Sequence, residues 1–232
     1  MIRLRSFVLL LGGYVFRDVL SGGYSKIASV ANVIKQLREE NIELAIVTGG
    51  SSLARAYIKA AKELGADNFT LDEVGILSTR LHALLIMSAL NNHAYPKVIT
   101  SYEEAGIALS MNKIPISGGM QPGQSTDAVA SLMAEKLGFN FVVKMTSVDG
   151  VYDKDPHTYP DAKKIDELTY DELEEIVRSQ SYHPGKYELL DALSIKILRR
   201  SSISTIILSG DTPRALLELV NGKRIGSLIK PR

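Results

Sequence analysis

Apolar, β-branched segments alternate with segments of helical periodicity along almost the whole chain. Phe7–Leu11 and Leu44–Val47 have the composition of buried strands, and Ile27–Glu40 between them repeats its apolar residues at helical spacing. Strands that are separated by helices imply right-handed crossovers and a largely parallel sheet that is covered on both faces. The sequence therefore predicts an α/β fold.

The same alternation continues to the end of the chain. It predicts further strands at Val98–Thr100, Pro115–Ser117, Phe141–Lys144, Thr205–Leu208 and Ser227–Ile229. It predicts further helices at Ser51–Leu64, Asp72–Ala89, Ser101–Leu109, Thr126–Leu137, Tyr170–Val177 and Leu189–Arg200. No Ser/Pro/Gly-rich linker divides the chain, and a second half begins with its own strand near Gly138–Phe141. We therefore expect one domain with two lobes.

The charge balance and the missing cysteine exclude several classes of function. The 27 basic and 26 acidic residues leave a net charge of +1, which provides no strong field for nucleic acid or a membrane surface. Without cysteine there is no disulfide, no thiol catalysis and no cysteine-ligated metal. The histidines lack metal-binding spacing and are scattered over His82, His93, His157 and His183.

The N-terminal run MIRLRSFVLLLGGYVF resembles a short signal peptide in its basic start and apolar centre. Gly12-Gly13 interrupts that run, Arg17 and Asp18 follow it, and no small-residue cleavage site is present. These features favour a buried strand that enters a glycine turn. No other stretch is expected to approach the roughly 20 apolar residues of a membrane span, so we expect a soluble, cytoplasmic protein.

Three predicted strands end in a glycine pair, at Gly12-Gly13, Gly49-Gly50 and Gly118-Gly119. Ligands of open parallel sheets bind at the carboxyl ends of the strands. Glycine at that edge lets backbone N–H groups approach an anion, and a following helix adds its positive end. The three pairs therefore predict phosphate binding. The pattern is neither a GxxxxGK[ST] loop nor a GxGxxG fingerprint.

The second pair stands in the segment VTGGSSLARAYI, where two glycines and two serines precede a helix that carries Arg55 in its first turns. Backbone donors, hydroxyls and one guanidinium that converge on one point suit a phosphomonoester. The alternative is an ordinary capped helix with a solvent-facing arginine.

Two later loops are also rich in polar groups. In GGMQPGQSTDAVA, Ser125 or Thr126 can cap a helix and Asp127 suits its dipole. The same loop can also hold a base or a phosphate, and Asp127 can orient cations or magnesium. In KMTSVDGVYDKDP, Tyr152 can flank a base, while Lys144 and Lys154 can meet phosphates.

These segments together resemble the amino-acid-kinase superfamily, and specifically the UMP kinases of its archaeal branch. The matching segments, in family order, are VTGGSSLARAYI, LDEVGILSTRLHALL, GGMQPGQSTDAVASLMAE, TSVDGVYDKDPHTYPDAKKI and YELLDALSIKILRRSSI. The resemblance implies a three-layer αβα sandwich with a mainly parallel sheet. It implies transfer of the γ-phosphoryl group of Mg²⁺-bound ATP to UMP, a step of pyrimidine nucleotide biosynthesis, and a hexameric assembly.

The resemblance also implies a division of labour. An N-terminal lobe, about residues 1–139, would bind the acceptor UMP, and a C-terminal lobe, about residues 140–232, would bind ATP. The implied acceptor residues are Gly49, Gly50, Arg55, Asp72, Gly75 and Thr126, with Asp72 on the ribose hydroxyls. The implied ATP-side residues are Gly12, Gly13, Ser147, Asp149, Tyr152 and Asp155. Asp127 matches the aspartate that organises the transfer site.

The chain departs from the family pattern at the first strand. Family members often carry a lysine there, in the pattern LKxSG, whereas this chain has Leu10. Such a charge stabilises the transferring phosphoryl group by about 3 kcal/mol. Lys144, at the end of the Phe141–Lys144 strand, is the predicted substitute. Ser51 replaces a usual third glycine, and Tyr14 stands where a smaller residue is common and would crowd the site.

Three alternatives stay open from the sequence. A sister kinase of the same fold could use an acetylglutamate, an isopentenyl phosphate or a carbamate, although Asp72 and the TDAVA and VDGVY segments favour a nucleotide acceptor. The replacement at Leu10 is compatible with a non-catalytic nucleotide-binding protein. The third alternative, a purely structural oligomer, does not explain the glycine turns.

Overall fold

The computed structural model of the protein describes residues 4–180 and 189–232. The strands are β1 (Ser6–Leu11), β2 (Glu43–Thr48), β3 (Ile116–Ser117), β4 (Phe141–Thr146), β5 (Val151–Tyr152), β6 (Lys164–Ile165), β7 (Glu167–Thr169), β8 (Ser204–Ser209) and β9 (Ser227–Lys230). The α-helices are α1 (Ser25–Glu39), α2 (Ser52–Glu63), α3 (Asn68–Leu90), α4 (Tyr102–Ser110), α5 (Thr126–Leu137), α6 (Tyr170–Gln180), α7 (Ala192–Arg200) and α8 (Ala215–Val220). His183 and the first two residues of YELLDALSIKILRRSSI lie outside the described residues.

A seven-stranded sheet in the order β3-β2-β1-β4-β8-β9-β7 forms the centre of the molecule. The five strands from β3 to β8 in this order are parallel, β9 is antiparallel to β8, and β7 is parallel to β9. The five parallel strands therefore end at the same edge of the sheet. This arrangement confirms the predicted α/β fold with a mainly parallel sheet.

Helices cover both faces of this sheet. On one face, the apolar residues of α1, α8 and one side of α3 form a core with Phe7, Leu9 and Leu11 of β1. On the other face, α4, α5, α6 and α7 form a second core with Val8 and Leu10. A parallel strand that is covered on both faces needs an unbroken apolar run, which is the pattern of β1.

Several predicted boundaries differ from the structure. Val98–Thr100 is not a strand, although the Ile99 N–H donates to the carbonyl of Ile116 at 2.9 Å, because β3 beside it has only two residues. The helix predicted from Leu189 begins at Ala192, since the Asp191 side chain caps it. The short strands β5, β6 and β7 and the helix α8 had no sequence prediction, because elements of two to six residues show little periodicity.

The helix α3 has an exposed apolar side and corrects one expectation. Leu81, Leu84 and Leu85 share one side of the helix, and that side is exposed. The stretch Asn68–His93 has 26 residues and contains an 18-residue window with a mean hydropathy of 1.3, so by length and composition it could span a membrane, contrary to the prediction. Its opposite side is buried against the sheet, and His82 on that side contacts the loop after β2. A helix crossing a bilayer would lose these contacts.

Candidate active site

The first two glycine pairs meet at the carboxyl edge of the parallel strands. The Gly12 N–H donates to the carbonyl of Met145 at 2.9 Å, and the Gly49 N–H donates to that of Leu11 at 2.8 Å. A Cβ atom on Gly13 would lie 1.5 Å from the carbonyl oxygen of Gly50. The two loops can therefore approach this closely only without a side chain at position 13.

The third pair, Gly118-Gly119, is held by α3. The Gly119 N–H donates to Thr79 Oγ1 at 2.7 Å, and Arg80 Nε donates to the Gly119 carbonyl at 3.1 Å. A Cβ atom on Gly118 would lie 2.4 Å from Thr79 Oγ1. Close packing against α3 is a sufficient reason for glycine here, and it requires no ligand. The structure therefore explains the third pair by packing, and phosphate binding stays a prediction for the first two pairs.

The predicted acceptor-phosphate loop leads directly into α2. Ser51 is the N-cap of this helix, and its Oγ accepts a hydrogen bond from the Leu53 N–H at 3.3 Å. Arg55 lies in the first turns of α2 with an exposed side chain. Among the residues that the structure describes, the Arg55 guanidinium has no hydrogen-bond or ion-pair partner. A helix N-terminus with an unpaired cation beside it is a suitable place for a phosphate group.

A buried histidine contacts this loop from the interior of the protein. No sequence pattern predicted this residue as part of the site. His82 Nδ1 lies 2.8 Å from the carbonyl oxygen of Gly49, and Nε2 lies 3.3 Å from Ser51 Oγ. The imidazole stacks on the ring of Phe16 with 4.2 Å between ring centroids. Burial lowers the pKa of His82, although the hydrogen bond to Gly49 raises it in part. The available signal was a histidine on the buried side of α3.

The other predicted acceptor residues lie on α3 and at the start of α5. Asp72 Oδ2 accepts a hydrogen bond from the Gly123 N–H at 2.8 Å, so Asp72 links α3 to the loop before α5. Gly75 faces α2, where an added Cβ would lie 3.4 Å from Ile58 Cδ1. Thr126 is the first residue of α5, and Ser125 before it is the N-cap.

Lys144 lies in register beside Leu10, the position where the family pattern has its lysine. The two residues are partners in the parallel pairing of β1 with β4, which places their backbones about 4.8 Å apart. Lys144 is 9% exposed, and its Nζ lies 2.5 Å from Asp127 Oδ1 and 2.6 Å from the carbonyl of Leu189. Burial raises the pKa of Asp127, and the ammonium of Lys144 lowers it in part. The ammonium of Lys144 is thus a buried positive charge beside Leu10, the position where the family pattern has a lysine.

The predicted ATP-side residues lie in the loop after β4. Asp149 accepts hydrogen bonds from the Tyr152 hydroxyl at 2.6 Å and from Lys164 Nζ at 3.0 Å. Burial raises the pKa of Asp149, but these two hydrogen bonds, the positive charge of Lys164 and a backbone hydrogen bond together hold it below its ordinary value. The bond to Asp149 is also the largest cause that raises the pKa of Tyr152 to about 12. Ser147 directly follows β4 and is half-buried.

Asp155 closes a turn of its own. Its carboxylate accepts hydrogen bonds from the His157 N–H at 2.9 Å and from the Thr158 hydroxyl at 3.0 Å. These bonds account for both carboxylate oxygens, since each oxygen has one partner within the turn. A structural function in shaping the loop is therefore sufficient to explain this aspartate.

Tyr14 does not project over the glycine loops. Its hydroxyl donates to Asp211 at 2.5 Å, and the ammonium of Lys26 lies 4.0 Å from its ring centroid. Lys26 also forms an ion pair with Asp211. Asp211 follows β8, so these contacts connect the segments after β1 and β8. The predicted crowding by Tyr14 is therefore relieved, because the side chain turns toward the end of β8.

Two glycine loops and the N-terminus of α2 thus lie at the carboxyl edge of a mainly parallel sheet, and the first turns of α2 carry a guanidinium without a partner among the described residues. On the strand next to β1, Lys144 forms a buried ion pair with Asp127. This arrangement is typical of α/β proteins that bind phosphate groups at the ends of their strands.

Comparison with known proteins identifies the family within this class. Residues 6–209 match the model of the amino acid kinase family. A uridylate kinase of Methanococcus aeolicus is 42% identical over 224 residues, which are 97% of this chain and 99% of that protein. A uridylate kinase of Sulfurisphaera tokodaii is 44% identical over 204 residues, which are 88% of this chain and 90% of that protein. The chain belongs to the amino acid kinase family.

Solved structures agree with this assignment. The crystal structure of the uridylate kinase from Archaeoglobus fulgidus is similar with a TM-score of 0.83 at 38% identity, covering 96% of this chain and 99% of that chain. A UMP kinase from Bacillus anthracis has a TM-score of 0.82 at 20% identity, covering 99% of this chain and 97% of that chain. Because the identity to the Bacillus anthracis protein is only 20%, this second similarity supports the fold alone.

Proposed function

We propose that the protein transfers the γ-phosphoryl group of ATP to UMP and releases UDP and ADP, a step of pyrimidine nucleotide biosynthesis. The observation that carries this proposal is the ion pair of Lys144 with Asp127, because Lys144 lies in register with Leu10, on the strand next to β1. The relatives described as uridylate kinases support UMP as the acceptor. The sister kinases with other acceptors are not favoured by these relatives.

Phosphoryl transfer between two phosphates mainly requires alignment and charge neutralisation. A UMP phosphate oxygen forms a bond to the γ-phosphorus while the bond from that phosphorus to the β,γ-bridging oxygen of ATP breaks, and ADP leaves with the electron pair. No strong general base is needed, because the phosphate oxygens of UMP are already anionic. Lys144 would neutralise the developing charge, and Asp127 would hold its ammonium in place. The N–H groups of the glycine loops would hold the phosphate oxygens.

A magnesium ion fits this site as part of the ATP complex. Residues 4–180 and 189–232 hold no group of three or more histidine, aspartate or glutamate side chains arranged to bind a metal. Magnesium commonly reaches such enzymes on the substrate phosphates, with one or two carboxylates and several waters. Asp127 is the carboxylate that would meet it. The ion would supply neutralisation of the β- and γ-phosphates.

The two halves of the site would divide the substrates as the resemblance implies. Gly49, Gly50 and Arg55 would bind the UMP phosphate, while Asp72, Gly75 and Thr126 would face the nucleoside. Gly12 and Gly13 would hold the transferred group, and the ATP side would use Ser147, Asp149, Tyr152 and Asp155. This assignment makes residues 1–139 the acceptor lobe and residues 140–232 the ATP lobe of one domain.

We also propose that the protein is a cytoplasmic homo-oligomer that assembles through α3. Leu77, Leu81, Leu84 and Leu85 form an exposed apolar face, with exposed fractions of 61, 53, 44 and 38%. Arg80 is the one charged residue between 77 and 85 in the sequence, and it is directed at the Gly119 carbonyl. Two copies can therefore pair on this face without like-charge repulsion. The resemblance makes a hexamer the expected assembly.

The activity is tested with purified protein, Mg²⁺-ATP and a panel of nucleoside monophosphates, with diphosphate formation as the measurement. We expect UDP from UMP at a rate well above that with AMP or GMP. A folded protein that binds UMP and ATP but forms no UDP would instead identify a non-catalytic nucleotide-binding relative. Light scattering of the Leu81→Glu/Leu84→Glu double variant tests the assembly, and an unchanged mass would refute the α3 interface.

A further inference from the structure

We infer that His82 is a positioning residue for the acceptor-phosphate loop. Its imidazole orients the loop through one tautomer and does not contact the substrate. This inference rests on the proposed function, because it assumes that Gly49-Gly50 binds the phosphate of UMP. His82 is 1% exposed, and both of its ring nitrogens contact atoms of this loop. Its position between α3 and the loop makes it inaccessible to a ligand bound at the edge of the sheet.

The hydrogen-bond partners determine the tautomer. The carbonyl oxygen of Gly49 can only accept, so Nδ1 at 2.8 Å must carry the proton. In the neutral ring, Nε2 is then an acceptor for the hydroxyl of Ser51 at 3.3 Å. The same hydroxyl oxygen accepts from the Leu53 N–H, so Ser51 uses its donor on the ring and its acceptor on α2. Every polar atom in this chain of hydrogen bonds thus has a consistent role.

The hydrogen bond between His82 and the Gly49 carbonyl controls the direction of the backbone N–H donors in this loop. The Gly49–Gly50 peptide is trans, so when its carbonyl is turned toward His82 the Gly50 N–H points the opposite way, away from the ring. A phosphate at this helix N-terminus needs N–H groups that are directed toward it. Phe16 stacks on one face of the imidazole with 5° between the two ring planes, and this contact fixes the plane of the imidazole. His82 would therefore preserve the phosphate-binding shape of the loop before UMP arrives.

The test compares His82→Phe with His82→Asn. Phenylalanine preserves an aromatic ring of similar size for the stack on Phe16 but makes neither hydrogen bond. Asparagine can place an amide N–H near the position of Nδ1. We expect His82→Phe to raise the KM for UMP at least tenfold with less than a twofold change in the KM for ATP. We expect His82→Asn to recover most of the UMP affinity. His93→Phe, at the end of the same helical region, is the matched control and should behave like the wild type.

Two measurements separate the role of His82 from the proposed UMP kinase function. Calorimetric titration of the wild type with UMP comes first, and absence of binding would contradict the proposed function. If the wild type binds UMP and a folded His82→Phe variant binds it equally well, the inference is refuted. If both variants raise the KM values for UMP and ATP equally, the role is only structural. Nitrogen NMR of ¹⁵N-labelled histidine should show the Nδ1-protonated form of His82, and the Nε2-protonated form would also refute it.

Discussion

The two sides of the sheet edge hold their polar groups in different ways. On the proposed acceptor side, His82 forms hydrogen-bond contacts with Gly49 and Ser51, and the guanidinium of Arg55 has no partner among the described residues. On the proposed ATP side, charged groups form pairs, as in the contact of Asp149 with Lys164. The proposed acceptor side is thus preorganised, whereas the proposed ATP side would exchange internal contacts for contacts with its ligand.

This difference leads to unequal effects of mutation on the two substrates. Loss of an unpaired group on the acceptor side removes a contact that only the ligand satisfies, so UMP binding should respond strongly. Loss of one member of an exposed pair on the ATP side removes a contact of about 0.2–1 kcal/mol and frees its partner. ATP binding should therefore respond weakly. Residues between the two sides should affect both substrates or the chemical step.

Gly13→Ala should produce the largest effect, because it separates the two glycine loops. The new methyl group would overlap the Gly50 carbonyl oxygen, since the ideal Cβ position is 1.5 Å away. We expect kcat/KM for both substrates to fall at least 100-fold and the free energy of unfolding to fall by about 1–3 kcal/mol. Steady-state kinetics and urea unfolding measure this. Gly106→Ala, in α4 with open space around it, is the control and should not lower stability.

Lys144→Met tests whether Lys144 replaces the cation that is missing at Leu10. Methionine preserves much of the side-chain volume but leaves Asp127 unpaired. We expect kcat to fall by about 100- to 1000-fold, as for other groups that stabilise a transition-state charge, with smaller changes in the KM values. Turnover equal to that of the wild type would remove Lys144 from the mechanism. Lys136→Met on the exposed side of α5 is the control.

Arg55→Ala tests the acceptor side alone. A charge-assisted hydrogen bond to a phosphate is worth about 1.5–3 kcal/mol, so the KM for UMP should rise by about 10- to 100-fold while the KM for ATP stays nearly constant. Lys59→Ala, one turn further along α2, serves as the control for loss of a positive charge. Equal increases in both KM values would contradict the placement of the UMP phosphate beside Arg55.

Tyr152→Phe tests the ATP side and should have a smaller effect. It removes the hydroxyl that donates to Asp149 but preserves the ring that would flank the base. A single net hydrogen bond of about 1 kcal/mol predicts a change of about fivefold or less in the KM for ATP and none in that for UMP. Kinetics at saturating UMP measure it, with Tyr159→Phe as the control. A hundredfold increase in the KM for ATP would contradict the expectation that ATP binding responds weakly to such mutations.

The pH dependence of stability tests the buried state of His82 without involving either substrate. The pKa of His82 in the folded protein is lowered from 6.5 by burial, so the unfolded chain binds a proton there first as the pH falls. The stability of the wild type should therefore decrease below about pH 6.5, by at most about 1.4 kcal/mol per pH unit, until the folded pKa is reached. Urea unfolding of the wild type and of His82→Phe at several pH values isolates this contribution. Parallel curves would contradict it.

Local patterns in the sequence were sufficient to predict the elements with strong periodicity and the residue types at the ends of the strands. The predicted helix over Thr126–Leu137 coincides with α5, and the prediction for Phe7–Leu11 misses one residue of β1. Buried parallel strands and capped helices have local signals that survive without tertiary contacts. Glycine pairs after strands likewise indicated the edge at which the site lies.

Which of these local features lie next to one another became visible only in the folded chain. The strand register put Lys144 beside Leu10, although the two residues are far apart in the sequence, and the packing of α3 brought His82 under the Gly49 loop. The folded chain also showed that Gly118-Gly119 adjoins α3 and that Leu77, Leu81, Leu84 and Leu85 of α3 are exposed. The physical reason is that register, helix orientation and burial depend on contacts between distant residues. A periodic pattern specifies a face of a helix or strand but not what that face meets.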